Sequence, residues 1–291
     1  MIVAKTVREI RDAVAGARAV APCKVGFVPT MGALHAGHYS LIDAARQECG
    51  YVVVSIFVNP TQFGPAEDLS KYPRPIEADL AGCRAHGAAA VFCPEAGEMY
   101  PGGQAEFATA VHVARLTERL CGAFRPVHFD GVCTVVAKLF NIVAPDLAYF
   151  GAKDYQQAAV VRKMTADLDM PITIRVMPTV REKDGLAMSS RNAYLSPAER
   201  QQALALVNSL HLAERLIQGG ERRPVEVASA VGRYIGSEAP LGRVEYVEIV
   251  EPDILRPVVE VTCAAVIALA VRFPSARLID NLRVELPARS R

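Results

Sequence analysis

The chain has 291 residues, of which 51% are hydrophobic and 22% charged, and a formal net charge of +1. This is enough chain for two domains, and the balance argues against a nucleic-acid surface. Seven cysteines without CxxC spacing argue against a disulfide frame or a zinc site and suit reduced thiols buried as small hydrophobes. The amino terminus, MIVAKTVREIRDAV, lacks the apolar core of a signal peptide, and the apolar run at 263–271 is too short to span a bilayer. A cytoplasmic protein with no membrane partner is therefore expected.

Thr6 followed by Glu9 makes a capping box and opens a helix to about residue 15. KVGFVPT (24–30) reads as a buried strand, and YVVVSIFVNP (51–60) as a second, apolar on both faces. Between them, Leu41, Ile42, Ala44 and Ala45 form the inward stripe of a crossover helix. The unit is βαβ, with right-handed connection. AAAVFCP (88–94) reads as a strand, and Val132, Val135, Val136, Leu139, Phe140 and Val143 fall at helical spacing. A strand running into a loop over 147–154, a helix at 155–168 and a strand at 171–180 follow. Such alternation predicts an α/β fold with a doubly wound, Rossmann-like parallel sheet. The texture turns polar near Arg181. Ser196, Pro197 and Glu199 then supply the N-cap, N1 proline and N3 glutamate of a helix running to Gly219 and Gly220. Strands at 244–250 and 264–273 complete the pattern. The expected organisation is a nucleotide-binding domain over 1–182 and a smaller α+β domain over 183–291.

Open parallel sheets bind ligands beyond the carboxyl ends of their strands. After the first strand come Met31, Gly32 and the pair His35 and His38; after the second, Asn59, Thr61 and Gln62. After later strands come Gly151, Lys153, Asp154 and Gln157, then Val180 and Arg181 leading to Ser189, Ser190 and Arg191. A helix starting near Gly37 would aim free N–H groups at an anion, and the imidazoles could add two donors. The same histidines could be packed residues capping a turn, or metal ligands lacking an obvious third partner. Lys153 and Arg191 suit a polyphosphate but also suit a solvated loop. Gln62 and Gln157 are neutral amides that can both donate and accept, as a hydroxy-acid requires. Asp154 fits a ribose hydroxyl or a helix cap, and Asp79 a magnesium ion or a helix face. Cys121 and Cys133 lack an adjacent base and read as packing, and His128 reads as structural. Arg125 is a candidate substrate contact with no ligand assigned.

The blocks FVPTMGALHAGHYSL, SIFVNPTQFGPAEDLSKYPR, RPVHFDGVCTVVAKLFNIV, FGAKDYQQ and PTVREKDGLAMSSRNAYL, with RLIDN near the carboxyl end, resemble the pantoate–β-alanine ligase family. HAGH alone marks only the wider HxGH nucleotidyltransferase superfamily; NPTQF, KDYQQ and GLAMSSRN narrow it. The resemblance implies an AMP-forming ligation of pantoate and β-alanine through pantoyl-adenylate, with magnesium accompanying ATP and a homodimer. It implies ATP contacts at Met31, Gly32, Ala33, Leu34, His35, Ala36, Gly37, His38, Gly151, Ala152, Lys153, Asp154, Val180, Met188, Ser189, Ser190 and Arg191. His38 would be the proton donor, with His35, Lys153 and Arg191 beside it. Gln62 and Gln157 would hold pantoate, Gln62 would also meet β-alanine, and Asp79 would hold magnesium. Ala36 and Ala152 stand where the family commonly has longer polar residues, which matters little if those positions act through their backbone. Two other readings remain at this point: another HxGH nucleotidyltransferase, and a nucleotide-binding module without catalysis.

Overall fold

The computed structural model describes residues 1–64, 69–103 and 106–286. Residues 65–68, inside the FGPAEDLS stretch, lie outside the described residues. The first unit contains β1 (Ile2–Ala4), α1 (Val7–Val20), β2 (Val25–Thr30), α2 (Ala36–Glu48), β3 (Tyr51–Ile56), α3 (Ile76–Ala85) and β4 (Ala90–Phe92). It continues with short helices α4 (Ala96–Met99) and α5 (Cys121–Phe124), then α6 (His128–Val143), β5 (Leu147–Gly151), α7 (Tyr155–Asp167) and β6 (Thr173–Met177).

The six strands form one sheet in the order β1-β4-β3-β2-β5-β6, with every pairing parallel. The continuous apolar runs follow from burial on both faces. Phe27, Val53, Ala148 and Phe150 pack with α1, α6 and α7, whereas Val28, Val52, Val54, Leu147 and Tyr149 pack with α2 and α3. Leu41, Ile42, Ala44 and Ala45 are the buried face of α2, as their spacing predicts. The chain winds outward from β2 in one direction through β3 and β4, and in the other through β5 and β6. The switch point, where such sheets bind ligands, therefore lies between the carboxyl ends of β2 and β5.

The second unit holds α8 (Pro197–Gln202), α9 (Leu204–Gln218), α10 (Pro224–Glu238) and an antiparallel sheet of β7 (Arg243–Val250), β8 (Ala265–Arg272) and β9 (Arg277–Val284). Leu206, Leu210, Val227, Val231, Ile235, Ile267 and Leu269 fill its own core. Val250, Leu255, Val266 and Ala268 join the core of the first unit instead, so the two pack directly. The predicted capping boxes form at Thr6/Glu9 and Ser196/Glu199. Glu199 also accepts from Ser275 N at 2.9 Å and Ser275 Oγ at 2.8 Å, tying the β8–β9 turn to α8.

Several elements depart from expectation. α1 runs to Val20, because Arg18 in its last turn donates to Ala144 O at 2.8 Å and so fastens the helix end to the loop between α6 and β5. The single helix expected over 197–218 is two, divided at the fully buried Ala203. β1, α3, α4, α5, α10 and β9 lie where the sequence pattern indicates no element.

Candidate active site

β2 ends on Thr30 and β5 on Gly151, and a cavity of about 230 Å³ opens at this switch point. A larger cavity of about 750 Å³ lies between the two units, and Arg125, His128, Lys153, Asp154, Gln157, Ser189 and Arg191 line both.

The loop after β2 turns through the left-handed region twice, at Gly32 (φ +82°) and Ala33 (φ +50°). Glycine tolerates that geometry; alanine does so at a cost. The bonds that hold the loop are local. Thr30 Oγ1 donates to Ser55 O at 2.7 Å and accepts from Gly32 N at 3.2 Å. The two carboxylate oxygens of Asp79 accept from Ala33 N and Leu34 N, each at 2.8 Å. Asp79 is only 2% exposed and lines neither cavity. Both oxygens on which a magnesium role would rest are taken by loop amides, and the carboxylate braces the loop from behind. No group of three or more His, Cys, Asp or Glu suited to a metal occurs among the described residues.

The braced loop delivers His35 as the N-cap of α2. His35 Nδ1 accepts from Gly37 N at 3.1 Å, and His38 Nδ1 accepts from His35 N at 3.3 Å. The rings lie 4.1 Å apart, centroid to centroid. Burial, then the Lys153 charge, push His35 down to about 4. Burial, then the neighbouring His35, push His38 down to about 3. Both imidazoles are therefore neutral near pH 7. Since each Nδ1 accepts, each proton sits on Nε2. Both rings line the smaller cavity, where their Nε2–H groups can donate to an anion.

Gln62 is built into the turn Pro60–Gln62. Asn59, 1% exposed, caps it: its Oδ1 accepts from Thr61 Oγ1 at 3.0 Å and Tyr100 OH at 2.8 Å, and its Nδ2 donates to Gly131 O at 3.1 Å. A Cβ on Gly131 would stand 2.3 Å from Thr61 O, so only glycine lets α6 approach this turn. Arg125 Nη2 and His128 Nδ1 both donate to the Gln62 carbonyl, at 3.2 and 3.0 Å. Gln62 faces the smaller cavity and Gln157 faces both.

Lys153, its side chain 19% exposed, rises from the turn Ala152–Asp154, with Nζ 3.8 Å from Asp154 Oδ1. Val180, Met188, Ser189, Ser190 and Arg191 close the other side of the smaller cavity. Met188 N donates to Val180 O at 3.0 Å, and Ser189 Oγ caps the turn that carries Arg191. The Arg191 guanidinium lies 5.9 Å from the Tyr72 ring centroid, within cation–π range.

The strand-end residues thus gather, with exceptions. Gly32, Ala33, Leu34, Ala36 and Ala152 line neither cavity. The amides of Gly32, Ala33 and Leu34 point to Thr30 and Asp79 rather than to a ligand, and Ala36 is exposed on α2. Arg125, the unassigned candidate contact, and His128, expected to be structural, both line the crevice. So do Val132, Val135, Val136 and Leu139 of α6, the apolar floor of the smaller cavity.

A family model, the pantoate–β-alanine ligase, matches residues 2–283. The pantothenate synthetase of Moorella thermoacetica is 51% identical over 97% of this chain and 98% of its own. Pantothenate synthetase 1 of Bradyrhizobium diazoefficiens is 50% identical, with the same coverage. The crystal structure of the Thermus thermophilus pantothenate synthetase superposes with a TM-score of 0.92, at 46% identity, covering 98% of this chain and 100% of that one. The Francisella tularensis pantoate–β-alanine ligase, solved in complex with β,γ-ATP and β-alanine, gives 0.79 at 31% identity, with 97% of each chain covered. With the match spanning both units and the crevice between them, the chain belongs to the pantoate–β-alanine ligase family.

Proposed function

We propose that His35, His38, Lys153 and Arg191 stabilise the charge that develops when pantoate is adenylated in the cavity beyond β2 and β5. The overall reaction follows from the family: ATP-dependent condensation of pantoate with β-alanine to pantothenate. In the first step a pantoate carboxylate oxygen attacks the α-phosphorus of ATP. The bond to the β-phosphate breaks, and pyrophosphate leaves with the electron pair. In the second, the β-alanine amine attacks the activated carbonyl, the bond to AMP breaks, and the amine loses a proton.

The observation that carries this reading is the pair of neutral Nε2–H donors, with Lys153 and Arg191, around one cavity. Preorganised donors aimed at developing charge are worth ~3–4 kcal/mol each in other enzymes. The expected proton-donor role of His38 becomes hydrogen-bond donation, since a neutral imidazole that gave up Nε2–H would be left as an anion. Gln62 and Gln157 supply neutral amides for the pantoate hydroxyl and carboxylate, with Gln62 also near β-alanine. The described residues form no cage for magnesium, which fits an ion carried mainly by the triphosphate, with Asp154 the carboxylate at hand. Magnesium bound there neutralises phosphate charge. A boundary at 182/183, a closing second unit that keeps water from the adenylate, and a homodimer belong to the same proposal. No helix among the described residues is long and apolar enough to cross a membrane.

Exchange of labelled pyrophosphate into ATP tests the two-step order. Exchange is expected with pantoate present and β-alanine absent. Exchange that requires β-alanine would show that no free adenylate forms first.

A further inference from the structure

The RLIDN block (277–281) has no part in the chemistry above, yet it opens β9, the last strand of the second unit. Three of its side chains leave the small sheet's own core and reach the first unit or the loop joining the two. Arg277 points Nη1 and Nη2 at Cys121 Sγ, at 3.5 and 3.6 Å, while its Nε donates to Glu245 at 2.7 Å. Asp280, 2% exposed, accepts from Arg181 Nη1 at 2.7 Å and Nη2 at 3.0 Å. Asn281, 8% exposed, donates from one Nδ2 to Ala152 O at 3.0 Å and Lys153 O at 2.8 Å.

The last contact is specific. Two carbonyl oxygens can be met only by the NH₂ end of the amide, so the Asn281 side chain has one usable orientation. Both carbonyls belong to the turn Ala152–Asp154, from which Lys153 rises into the two cavities. The Lys153 side chain is only 19% exposed, so its stem is confined and the backbone beneath it helps decide where the charge stands. The Ala152 side chain plays no part in this grip, which uses only the carbonyl. Asp280 does similar work on the facing loop. Its partner Arg181 donates to Gly185 O at 3.1 Å, and Arg181 pairs with Ala187 just ahead of Met188–Arg191. One strand of the second unit thus grips both loops that carry the site's cations.

We propose that Asn281 is a positioning residue for adenylation: it sets the height and direction of Lys153 against the reacting phosphate, with Asp280 steadying the opposite loop. Misplacing a catalytic group by about 1 Å costs on the order of 100-fold in rate. The inference rests on the role proposed above for Lys153.

A double-mutant cycle tests it, read as the single-turnover rate of pyrophosphate release from ATP and pantoate. Asn281→Ala is expected to lower that rate about 10–100-fold, with the KM for pantoate little changed. In a Lys153→Ala background the same change is expected to cost almost nothing further, because the charge it aimed is gone. Mere glue between the units would instead multiply the two losses. Independent, multiplying losses, or a full rate in Asn281→Ala beside a slow Lys153→Ala, overturn the positioning role alone. A full rate in Lys153→Ala overturns the role of Lys153, and this proposal with it. If Asn281→Ala does not fold, Asn281→Gln enters the same cycle, since it keeps the donor but moves it by one methylene.

Discussion

Replacing His38 by alanine is expected to slow pyrophosphate release from ATP and pantoate by about 10²–10³-fold, the loss seen when one preorganised donor is removed from a developing anion. His38 has no freedom to turn away, because its Nδ1 is engaged by His35 N and its ring lies against that of His35. The Nε2–H is thus oriented before ATP arrives and needs no reorganisation during the reaction. Melting followed by circular dichroism should change little beside that loss, since the apolar face of α2 is Leu41, Ile42, Ala44 and Ala45, and His38 is not part of it. The pH dependence follows from the same burial. Both imidazoles have values below the ordinary 6.5, at about 4 and about 3. Neither should contribute a break in activity near pH 6.5; their contribution is lost only toward pH 4, where protonation at Nδ1 would displace the amide it accepts. Stability carries the matching sign. Between pH 6.5 and about 4 the unfolded histidines take up protons that the folded ones refuse, so stability falls as pH falls through that window. A single-turnover pH profile that breaks at 6.5 and flattens in His38→Ala would contradict this account.

Lys153→Ala is expected to produce a loss of similar size, about 10²–10³-fold, carried by kcat more than by the KM for ATP. Negative charge shifts onto the departing phosphates as the α–β bond breaks, so a cation placed there gains most in the transition state. Lys153→Arg should restore little. The guanidinium is a planar fork on a different stem, and the geometry beneath position 153 is built for a point charge. Steady-state kinetics with pantoate saturating separates the cases. A raised KM with kcat unchanged would make Lys153 a ground-state binder only.

The first unit was legible because its sheet is buried on both faces. Val52, Val53 and Val54 leave no doubt about a strand, whichever side each residue takes. Leu41, Ile42, Ala44 and Ala45 drew α2 from spacing alone. The second unit was less legible for a physical reason. β9 reads Arg277, Leu278, Ile279, Asp280, Asn281, and its polar members break the alternation of a strand because they are spent on contacts across the molecule. α10 did carry a signal, with Pro224 at its start and Val227, Val231 and Ile235 four residues apart, all three fully buried.

The candidate site divides in the same way. His35, His38, Gln62, Gln157 and Lys153 could be gathered from sequence because each closely follows a strand end, and Arg191 because it ends the loop after β6; the topology brings those ends together. Arg125 and His128 follow no strand; they enter the crevice through the approach of α6 to the Pro60–Gln62 turn, which Gly131 permits. Spacing could not show that the amides of Ala33 and Leu34 turn toward Asp79, since that contact spans more than forty residues.

The claim at the centre of this account is that the two Nε2–H groups and Lys153 converge on the reacting phosphate. A crystal structure with a non-hydrolysable ATP analogue and pantoate measures it directly. The expected result is an α-phosphate oxygen within hydrogen-bond reach, about 3 Å, of His35 or His38 Nε2, with Lys153 Nζ on the same phosphates and a pantoate carboxylate oxygen facing the phosphorus. A triphosphate lying wholly in the larger cavity, with both imidazoles turned to the adenine or to water, would contradict it.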